Sequence, residues 1–452
     1  TNYIALYCIM IRALCLFALA VPGTLAAYCS GSPDEGTRTN ENPISDQAPV
    51  FIKSGVNSSL YELGTGASTF PVVHVWGNAY ETGYAQGVMQ KEYMRQFVSK
   101  TYEYFLNLVV EDLPGPLPPL IQDKIILLGL NGALDWCAEV TAPYTPQEFY
   151  DELQGCADGS GVDYQVLLRL NMFAEITKAS CSFFGAWGAA TSDAEGTGNV
   201  YQLRALDYDT EGPFKDFPQV TVYHPSEEGA SPFANVGWPG SIGVLSGFNS
   251  HRMGISEIGA SFPDDSFGQG TDDTPPEKVR GEPWMFVLRD VLKYQTSMDD
   301  AITYIEEADR TCNLIIGIGD GEAGIVNGIE YSGYVAVPYN DSTLIPVNDT
   351  WHWPIEGVVY NGMDWLCPGY SEKLAEQLDV YHGHITEVNT IHDILPTVQT
   401  GNLHIVVYDL TAGHAHVSFM RKSYADESEP LYAYERQFNR LDMDALFAVK
   451  LE

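Results

Sequence analysis

The sequence predicts an α+β protein, because a helical first part is followed by a strand-rich second part. Residues 80 to 178 carry apolar side chains at helical spacing, as with Met94 and Val98 on one face of the stretch Glu81 to Leu113. From Ser180 onward, short apolar runs alternate with turn residues, a pattern typical of strands joined as hairpins. The change of pattern at Ser180 therefore divides the chain into two parts.

Further helices are predicted where apolar spacing follows a start signal, at Leu120 to Trp136, Pro146 to Leu153, from Asp163 as an N-cap, Pro283 to Tyr294 and Met298 to Ala308. The predicted strands are Val200 to Leu206, Gln219 to His224, Ser241 to Phe248, Met253 to Ile258, Leu314 to Ile318, Gly324 to Tyr331, His404 to Leu410 and His414 to Met420. A hairpin turn is expected at Asn249 to Arg252.

The composition describes a folded, acidic protein. Of 452 residues, 45% are hydrophobic and 18% are charged, so the chain can bury a large core. The 60 acidic residues outnumber the 23 basic ones and give a formal charge of -37, which repels phosphate backbones and anionic membrane surfaces. Nucleic acid is therefore not expected as a partner.

The N-terminal segment has the pattern of a secretory signal. Arg12 precedes a short apolar run, Ala13 to Val21, and small residues follow as far as Ala26. A membrane anchor is the alternative, but the apolar run is too short to span a bilayer core of roughly 30 Å. We therefore assign residues 1–26 to a signal peptide, with 1–9 as an upstream extension, and expect the mature protein to be secreted or to reside in a lysosomal or vesicular lumen without spanning a membrane.

Three parts are expected in the remaining chain. Residues 27–57 are rich in Ser, Pro, Asn, Asp and Gly and predict a poorly ordered leader. Residues 58–180 form the helical part and residues 181–452 the strand-rich part, and the two are expected to pack as one domain.

Modification sites agree with a secretory route. Asn57, Asn340 and Asn348 begin Asn-x-Ser/Thr sequences that are acceptors for glycosylation. The preferred disulfides are Cys137 with Cys156 and Cys312 with Cys367, although spacing alone leaves other pairings open.

The strand-rich part starts at Cys181, and that position suggests a nucleophile. A cysteine exposed as a new N-terminus carries its own base, because a free α-amine with a pKa of about 7.7 to 8.0 can accept the thiol proton. The thiolate can then attack an amide carbonyl without help from a histidine. Downstream, Arg204 could orient a substrate carbonyl or carboxylate, and Asp207 could hold the ammonium form of the Cys181 amine. The alternative for Arg204 and Asp207 is a surface ion pair at a strand end.

Several motifs resemble one known family in their order and spacing. They are Gly83-Tyr84-Ala85-Gln86-Gly87, Cys181 to Gly188, Leu203 to Asp209, Gly247 to Gly254, and Cys312 to Ile316 with Asp320-Gly321-Glu322. Together they resemble the isopenicillin N acyltransferase (peptidase C45) family and are most similar to its secreted acid-ceramidase-like members. The resemblance covers roughly Pro71 to Phe447.

The resemblance implies an N-terminal-nucleophile (Ntn) hydrolase fold, an αββα sandwich of two antiparallel sheets between helix layers, with self-cleavage between Ser180 and Cys181. It implies that Cys181 is the nucleophile, that Arg204 and Asp207 frame it, and that the side chain of Asn313 donates to the oxyanion. Asn249 matches the hairpin position whose backbone or side-chain amide supplies a second oxyanion donor, the alternative being turn chemistry.

No cofactor or metal is expected. The strand residues His414 and His416 could share one face and bind zinc, but no established zinc motif supports this. Ordinary polar residues at hairpin ends are the alternative that we prefer.

The leading hypothesis is a cysteine hydrolase, or acyltransferase, of a small N-acyl substrate such as a ceramide-like, N-acylethanolamine-like or N-acyl amino acid compound. Two alternatives stay open. The same scaffold could act on esters, as a phospholipase B-like enzyme, or could serve as a non-catalytic secreted binding or structural protein.

Overall fold

The computed structural model describes residues 32–111, 119–175, 177, 179–191, 198–260, 280–363 and 368–451. Among these residues, no helix is both long and apolar enough to cross a membrane. The predicted signal peptide lies outside the described residues, as does Cys367.

The described strands form two sheets. The ten-stranded sheet contains, in spatial order, β1 (Val50–Gly55), β2 (Ser58–Leu63), β3 (Phe70–Gly77), β6 (Gln219–Pro225), β7 (Phe233–Gly237), β8 (Gly247–Asn249), β9 (Met253–Gly259), β10 (Asn313–Asp320), β11 (Ile325–Ser332) and β12 (Ala336–Tyr339). The six-stranded sheet contains β13 (Val358–Asn361), β4 (Ser180–Ala186), β5 (Tyr201–Asp207), β14 (His404–Asp409), β15 (His414–Phe419) and β16 (Asn439–Asp442).

The helices are α1 (Ala79–Met89), α2 (Lys91–Glu111), α3 (Pro119–Thr141), α4 (Gln147–Ser160), α5 (Tyr164–Met172), α6 (Trp284–Tyr294), α7 (Met298–Glu307), α8 (Pro368–Tyr381), α9 (Glu387–Asn389), α10 (Leu395–Val398) and α11 (Met443–Ala448). Strands β4 and β5 pack on β9, so the two sheets face each other across one core. Helices α6 and α7 contact the outside of the larger sheet, and α8 and α9 contact the outside of the smaller one. The predicted α+β class and the sandwich between helix layers are confirmed.

One strand pair departs from the predicted antiparallel pattern. Strand β3 runs parallel to β6, with Val72 opposite Val220, whereas the other pairings of the described sheets are antiparallel. This pair joins the two halves of the chain across Cys181. Because its hydrogen bonds link a strand before Cys181 to a strand after it, the two pieces of a cut chain would share one sheet.

The prediction of a poorly ordered leader over residues 27–57 is wrong for the described part of that range. The side chain of Asn40 is buried and donates to the backbone oxygens of Tyr434 and Arg436, at 3.2 and 2.8 Å. Strand β1 then pairs with β2, so the part predicted as helical begins with strands. The polar composition was misleading because long-range hydrogen bonds, from the Asn40 side chain and from backbone groups such as the Ser45 N–H to the carbonyl oxygen of Phe438, hold this segment in place.

Two helices of the first part cross at glycines. A Cβ at Gly83 on α1 would overlap the carbonyl oxygen of Glu152 on α4, and a Cβ at Gly155 would overlap that of Tyr80. The glycines therefore allow the two backbones to touch, which gives a packing reason for the glycines of the motif Gly83 to Gly87. The predicted N-cap is confirmed nearby, because the Asp163 side chain accepts from two backbone N–H groups at the start of α5.

A buried ion pair ties this helix layer to α6. The Arg289 guanidinium donates to the carboxylate of Glu152 and, at 2.8 Å, to the carbonyl oxygen of Ile242. The central guanidinium carbon of Arg289, Cζ, also lies 4.7 Å from the ring centroid of Tyr223 and 5.3 Å from that of Phe149. All of these contacts are to buried groups of the core, so Arg289 is a structural residue.

We expect Glu152→Gln to lower the free energy of unfolding by about 3 to 5 kcal/mol, because it leaves a buried guanidinium without its counter-charge. Replacing both residues, as Glu152→Gln with Arg289→Met, should recover most of that loss. Urea unfolding of the two variants, each made in a Cys181→Ala background so that the self-cleavage expected from the sequence cannot divide the chain, measures both values. A double variant as unstable as the single one would contradict this account.

Candidate active site

Cys181 lies near the start of β4, a strand buried along its whole length. Strand β4 pairs with β5 so that Cys181 is opposite Leu206 and Phe183 is opposite Arg204. Opposed residues of neighbouring strands point to the same face, and residues two apart on one strand share that face. Cys181 and Arg204 are therefore on one face of the six-stranded sheet.

That face points into the space between the two sheets. A Cβ at Gly317 on β10 would lie 2.7 Å from the ring of Phe183, so the ring lies directly against the larger sheet. The amide of Gln202, two residues before Arg204, donates to the hydroxyl of Ser256 on β9 at 2.8 Å. Cys181 and Arg204 thus share a buried space lined by both sheets.

Arg204 is fully buried, and its partner is not the one expected. Its Nη2 lies 3.2 Å from Oε2 of Glu257 on β9. Its Nε and Nη1 have no hydrogen-bond partner among the described residues. The alternative of a surface ion pair with Asp207 is therefore wrong. Two unused donors on a buried cation suit a substrate carbonyl or carboxylate, because leaving such donors unpaired costs about 1 to 3 kcal/mol each.

Glu257 is a site residue that sequence reasoning missed. It lies in the apolar strand pattern Met253 to Ile258 and is buried with its carboxylate on Arg204. A carboxylate inside an otherwise apolar strand is uncommon unless it is paired. That isolated charge was the signal that could have identified it.

The thiol of Cys181 is in a closed environment. Burial raises its pKa, and the negative charges of Glu257 and Asp207 raise it further, whereas Arg204 acts in the opposite direction. Its sulfur lies 3.9 Å from the carbonyl oxygen of Ala179 and is also hydrogen-bonded to the backbone of Gly259. The intact chain therefore holds this cysteine as a protonated thiol that solvent does not reach.

Asp207 lies at the end of β5 on the opposite face of the sheet from the thiol, directly across from Ser180. Its carboxylate accepts hydrogen bonds from Thr400 Oγ1 at 2.8 Å, from the Gly401 N–H at 2.7 Å and from the Asn402 N–H at 2.9 Å. Burial raises its pKa to about 6, although these hydrogen bonds and the charge of Arg204 lower it. Asp207 is thus next to the Ser180–Cys181 peptide bond and not next to the sulfur.

Asn313 is the first residue of β10 and is buried. Asn313 and Gly317 are four positions apart on the strand, and residues an even number of positions apart share one face. Asn313 therefore lies on the face that points between the sheets. The next residue, Leu314, is opposite Gly259, whose backbone meets the Cys181 sulfur. The register therefore brings Asn313 into the neighbourhood of the thiol, and its role as an oxyanion donor stays a prediction.

The prediction for the side chain of Asn249 is wrong. Its amide nitrogen donates to the carbonyl oxygens of Leu292 and Gln295, at the end of α6, at 3.1 and 3.2 Å. Its oxygen accepts from the N–H groups of His251 and Met253. These contacts use the whole amide to shape the hairpin and join it to α6 on the outside of the sandwich. Turn chemistry, the alternative, is what the structure shows.

The preferred bridge between Cys137 and Cys156 is also not formed. Cys156 is a fully buried free thiol at the crossing of α1 and α4, where its backbone lies against Gly87. The sulfur of Cys312 lies 3.6 Å from Oε2 of Glu175. Its preferred partner, Cys367, is outside the described residues, so that pairing stays a prediction.

The three glycosylation candidates lie in turns with partly exposed side chains. Asn57 has a φ of 45° between β1 and β2, and the oxygens of Asn340 and Asn348 accept hydrogen bonds from the Ser or Thr two residues later. Their modification stays a prediction. Among the described residues, no group of three or more His, Cys, Asp or Glu is placed to hold a metal ion.

Solved structures with some likeness to this chain include an N-acylethanolamine-hydrolyzing acid amidase ortholog from Caenorhabditis elegans, at 15% identity with a TM-score of 0.35 over 51% of this chain and 93% of that one. Another is penicillin V acylase from Agrobacterium tumefaciens, at 10% identity and a TM-score of 0.36 over 58% of this chain and 86% of that one. At these TM-scores, neither superposition carries an argument about this chain.

Sequence relatives give a firmer result. No protein-family model matches the chain. Protein dcd1B of Dictyostelium discoideum is 33% identical over 422 residues, which cover 90% of this chain and 80% of that protein. Protein dcd1A of the same organism is 32% identical over 431 residues, which cover 92% of this chain and 94% of that protein. Identity at this level over nearly the whole length shows that the chain belongs to the family of the Dictyostelium proteins dcd1A and dcd1B.

Proposed function

We propose that this chain is a cysteine Ntn hydrolase that cuts itself between Ser180 and Cys181 and then hydrolyses a small N-acyl amide or transfers its acyl group. The observation that carries the proposal is the juxtaposition of Cys181, Arg204 and Glu257 in one buried space, with Asp207 directly across from Ser180. The motif resemblance to acid-ceramidase-like proteins supports the same assignment.

Self-cleavage would begin with attack of the Cys181 sulfur on the carbonyl carbon of Ser180. The thiol proton leaves to a carboxylate, and the candidate acceptor is Glu257, which pairs with Arg204 in the buried space that holds the thiol. The C–N bond breaks as the nitrogen gains a proton, which gives a thioester and a free amine on Cys181. Water then hydrolyses the thioester, so that Ser180 ends in a carboxylate and Cys181 regains its thiol.

The freed amine would then serve as the base in turnover. It accepts the thiol proton, the sulfur attacks the substrate carbonyl, and the leaving amine departs with that proton. Water, or a second amine in the transfer reaction, attacks the acyl thioester and restores the thiol. Arg204 would bind the substrate carbonyl or carboxylate through its unused Nε and Nη1, and Asn313 would donate to the oxyanion.

The proposed substrates are N-acyl amides with a lipid-like or amino acid portion, and the class comes from the motif resemblance. We also propose passage through the secretory route, for which the signal-like N-terminus and the partly exposed acceptor asparagines are the support.

The test is hydrolysis of a panel of N-acyl amides of increasing acyl length, each assayed beside the ester of the same acid. Release of amine, absent from a Cys181→Ala preparation, supports the proposal. Turnover of esters alone would favour the phospholipase B-like alternative. Tight binding of these compounds without turnover, by fully cut protein, would favour the binding-protein alternative.

A further inference from the structure

Three polar side chains form a buried hydrogen-bonded chain behind Cys181. The hydroxyl oxygens of Ser182 and Thr400 are 2.7 Å apart, and Thr400 Oγ1 is 2.8 Å from Oδ2 of Asp207. Ser182 and Thr400 are fully buried, and Asp207 is 1% exposed. An ionised carboxylate only accepts hydrogen bonds, and a hydroxyl has one hydrogen to donate. The chain therefore runs from Ser182 to Thr400 to Asp207 when Asp207 is charged.

The turn that carries Thr400 is shaped to hold an anion. Gln399 and Gly401 have φ values of 56° and 86°, and the successive N–H groups of Gly401 and Asn402 both point to the Asp207 carboxylate. Left-handed residues such as Gln399 and Gly401 turn successive N–H groups toward one point, and this makes a concave group of donors that binds anions. A Cβ at Gly401 would overlap the side chain of Ile405, so glycine is required both by the φ value and by the packing.

The same turn is fixed to the end of β5. The Asn402 side chain accepts from the N–H of Tyr208 at 2.9 Å and donates to the carbonyl oxygen of Tyr208 at 3.0 Å. The Leu403 N–H donates to the carbonyl oxygen of Leu206 at 3.0 Å. The donors that hold Asp207 and the strand that presents it therefore form one rigid unit.

We propose that Thr400 is a positioning residue whose hydroxyl, oriented by Ser182, holds the Asp207 carboxylate beside the amine that self-cleavage frees at Cys181. The inference rests on the proposed function, since it needs that amine. Thr400 acts through Asp207, because its hydroxyl contacts Ser182 and Asp207 on the face of the sheet away from the thiol. Asp207 is opposite Ser180, so the new chain end at Cys181 begins one residue along from it.

The pH dependence follows from the groups around Asp207. Arg204 and the thiol of Cys181 lie on the opposite face of the same sheet, where the charge of Arg204 lowers the pKa of Asp207 and the charge of Asp207 raises that of the thiol. The charge of Asp207 also raises the pKa of Tyr434, in the turn Ala433–Glu435. Burial raises the pKa of Asp207 to about 6, and the hydrogen bond from Thr400 lowers it. Removing that hydroxyl must raise the pKa further. If the charged carboxylate is the working form, the acidic limb of the rate profile moves to higher pH.

The experiment compares Thr400→Val, Thr400→Ser and the matched control Thr397→Val in cut protein, with kcat and KM measured between pH 4 and 9 on an amide that the wild type hydrolyses. Thr397 is buried in α10, and its hydroxyl bonds to the backbone of Arg38, away from Asp207. We expect Thr400→Val to shift the acidic limb of kcat upward by about 1 pH unit, with KM little changed. Thr400→Ser should restore the wild-type profile, and Thr397→Val should leave it in place.

The inference is overturned if the acidic limb of the kcat–pH profile of Thr400→Val stays where it is or shifts to lower pH. It is also overturned if Thr397→Val shifts that limb by the same amount. If Thr400→Val does not fold or does not become cut, Ser182→Ala takes its place, because it removes the hydroxyl that orients Thr400. It should shift the limb in the same direction by a smaller amount, and no shift overturns the inference. Failure of the proposed function looks different, since the wild type would then hydrolyse no amide, or Cys181→Ala would match it.

Discussion

Replacing Cys181 with alanine should leave the chain uncut and lower amide hydrolysis by roughly 10⁴-fold or more, because both reactions use its sulfur in the proposed mechanism. Gel electrophoresis and amine release measure the two effects. Cys156→Ala is the matched control, since Cys156 is an equally buried thiol that lies at the crossing of α1 and α4. That variant should be cut and should turn over substrate like the wild type.

A Cys181→Ala protein that is still cut at the same bond would assign the cleavage to a contaminating protease. One that is uncut but hydrolyses amides at the wild-type rate would place the chemistry elsewhere in the molecule. Either result would remove the basis of the proposed mechanism.

Replacing Asn313 with alanine in cut protein should lower kcat by about 10² to 10³, with a much smaller change in KM. The reason is that an oxyanion donor acts on the charge that develops in the transition state and contributes little to substrate binding. The matched control is Asn327→Ala on β11. Asn327 is opposite Ile318, on the other face of the same sheet, so this variant should keep the wild-type kcat.

The Asn313 measurement needs protein that is already cut, because the same donor could assist self-cleavage. An uncut variant would be inactive for a reason unrelated to turnover. Co-expression of the two pieces, with the second starting at Cys181, supplies the cut form directly. Wild-type kcat in that preparation would remove Asn313 from the site.

Local patterns in the sequence predicted much of the fold. The strand at Met253, the hairpin before it and the Asp163 cap were predicted from alternation and turn residues, which act over a few positions. The pairing of β3 with β6 could not be predicted in this way. Val72 and Val220 are brought together by long-range packing, and neither carries a local signal of its partner.

The site shows the same division. Cys181 and Arg204 were identified from the residues and the resemblance, and the structure places them on one buried face. Glu257 was missed because a single carboxylate in an apolar strand does not reveal its partner. The side chain of Asn249 was assigned wrongly, since its type and spacing match a donor while its hydrogen bonds belong to the hairpin and α6.

The cysteines were predicted least well. A disulfide needs Cα atoms about 4.4 to 6.8 Å apart with suitably directed side chains, and spacing along the chain does not supply that geometry. Cys156 is instead used for close packing of two helices.

The central claim is that this chain becomes an N-terminal-nucleophile enzyme by cutting itself before Cys181. The most direct measurement is intact mass combined with N-terminal sequencing of the purified protein, alongside Cys181→Ala. The account predicts two polypeptides that stay together under native conditions, one of which begins at Cys181, and a single polypeptide for the variant. A wild-type protein that hydrolyses amides while every molecule retains the Ser180–Cys181 bond would contradict it.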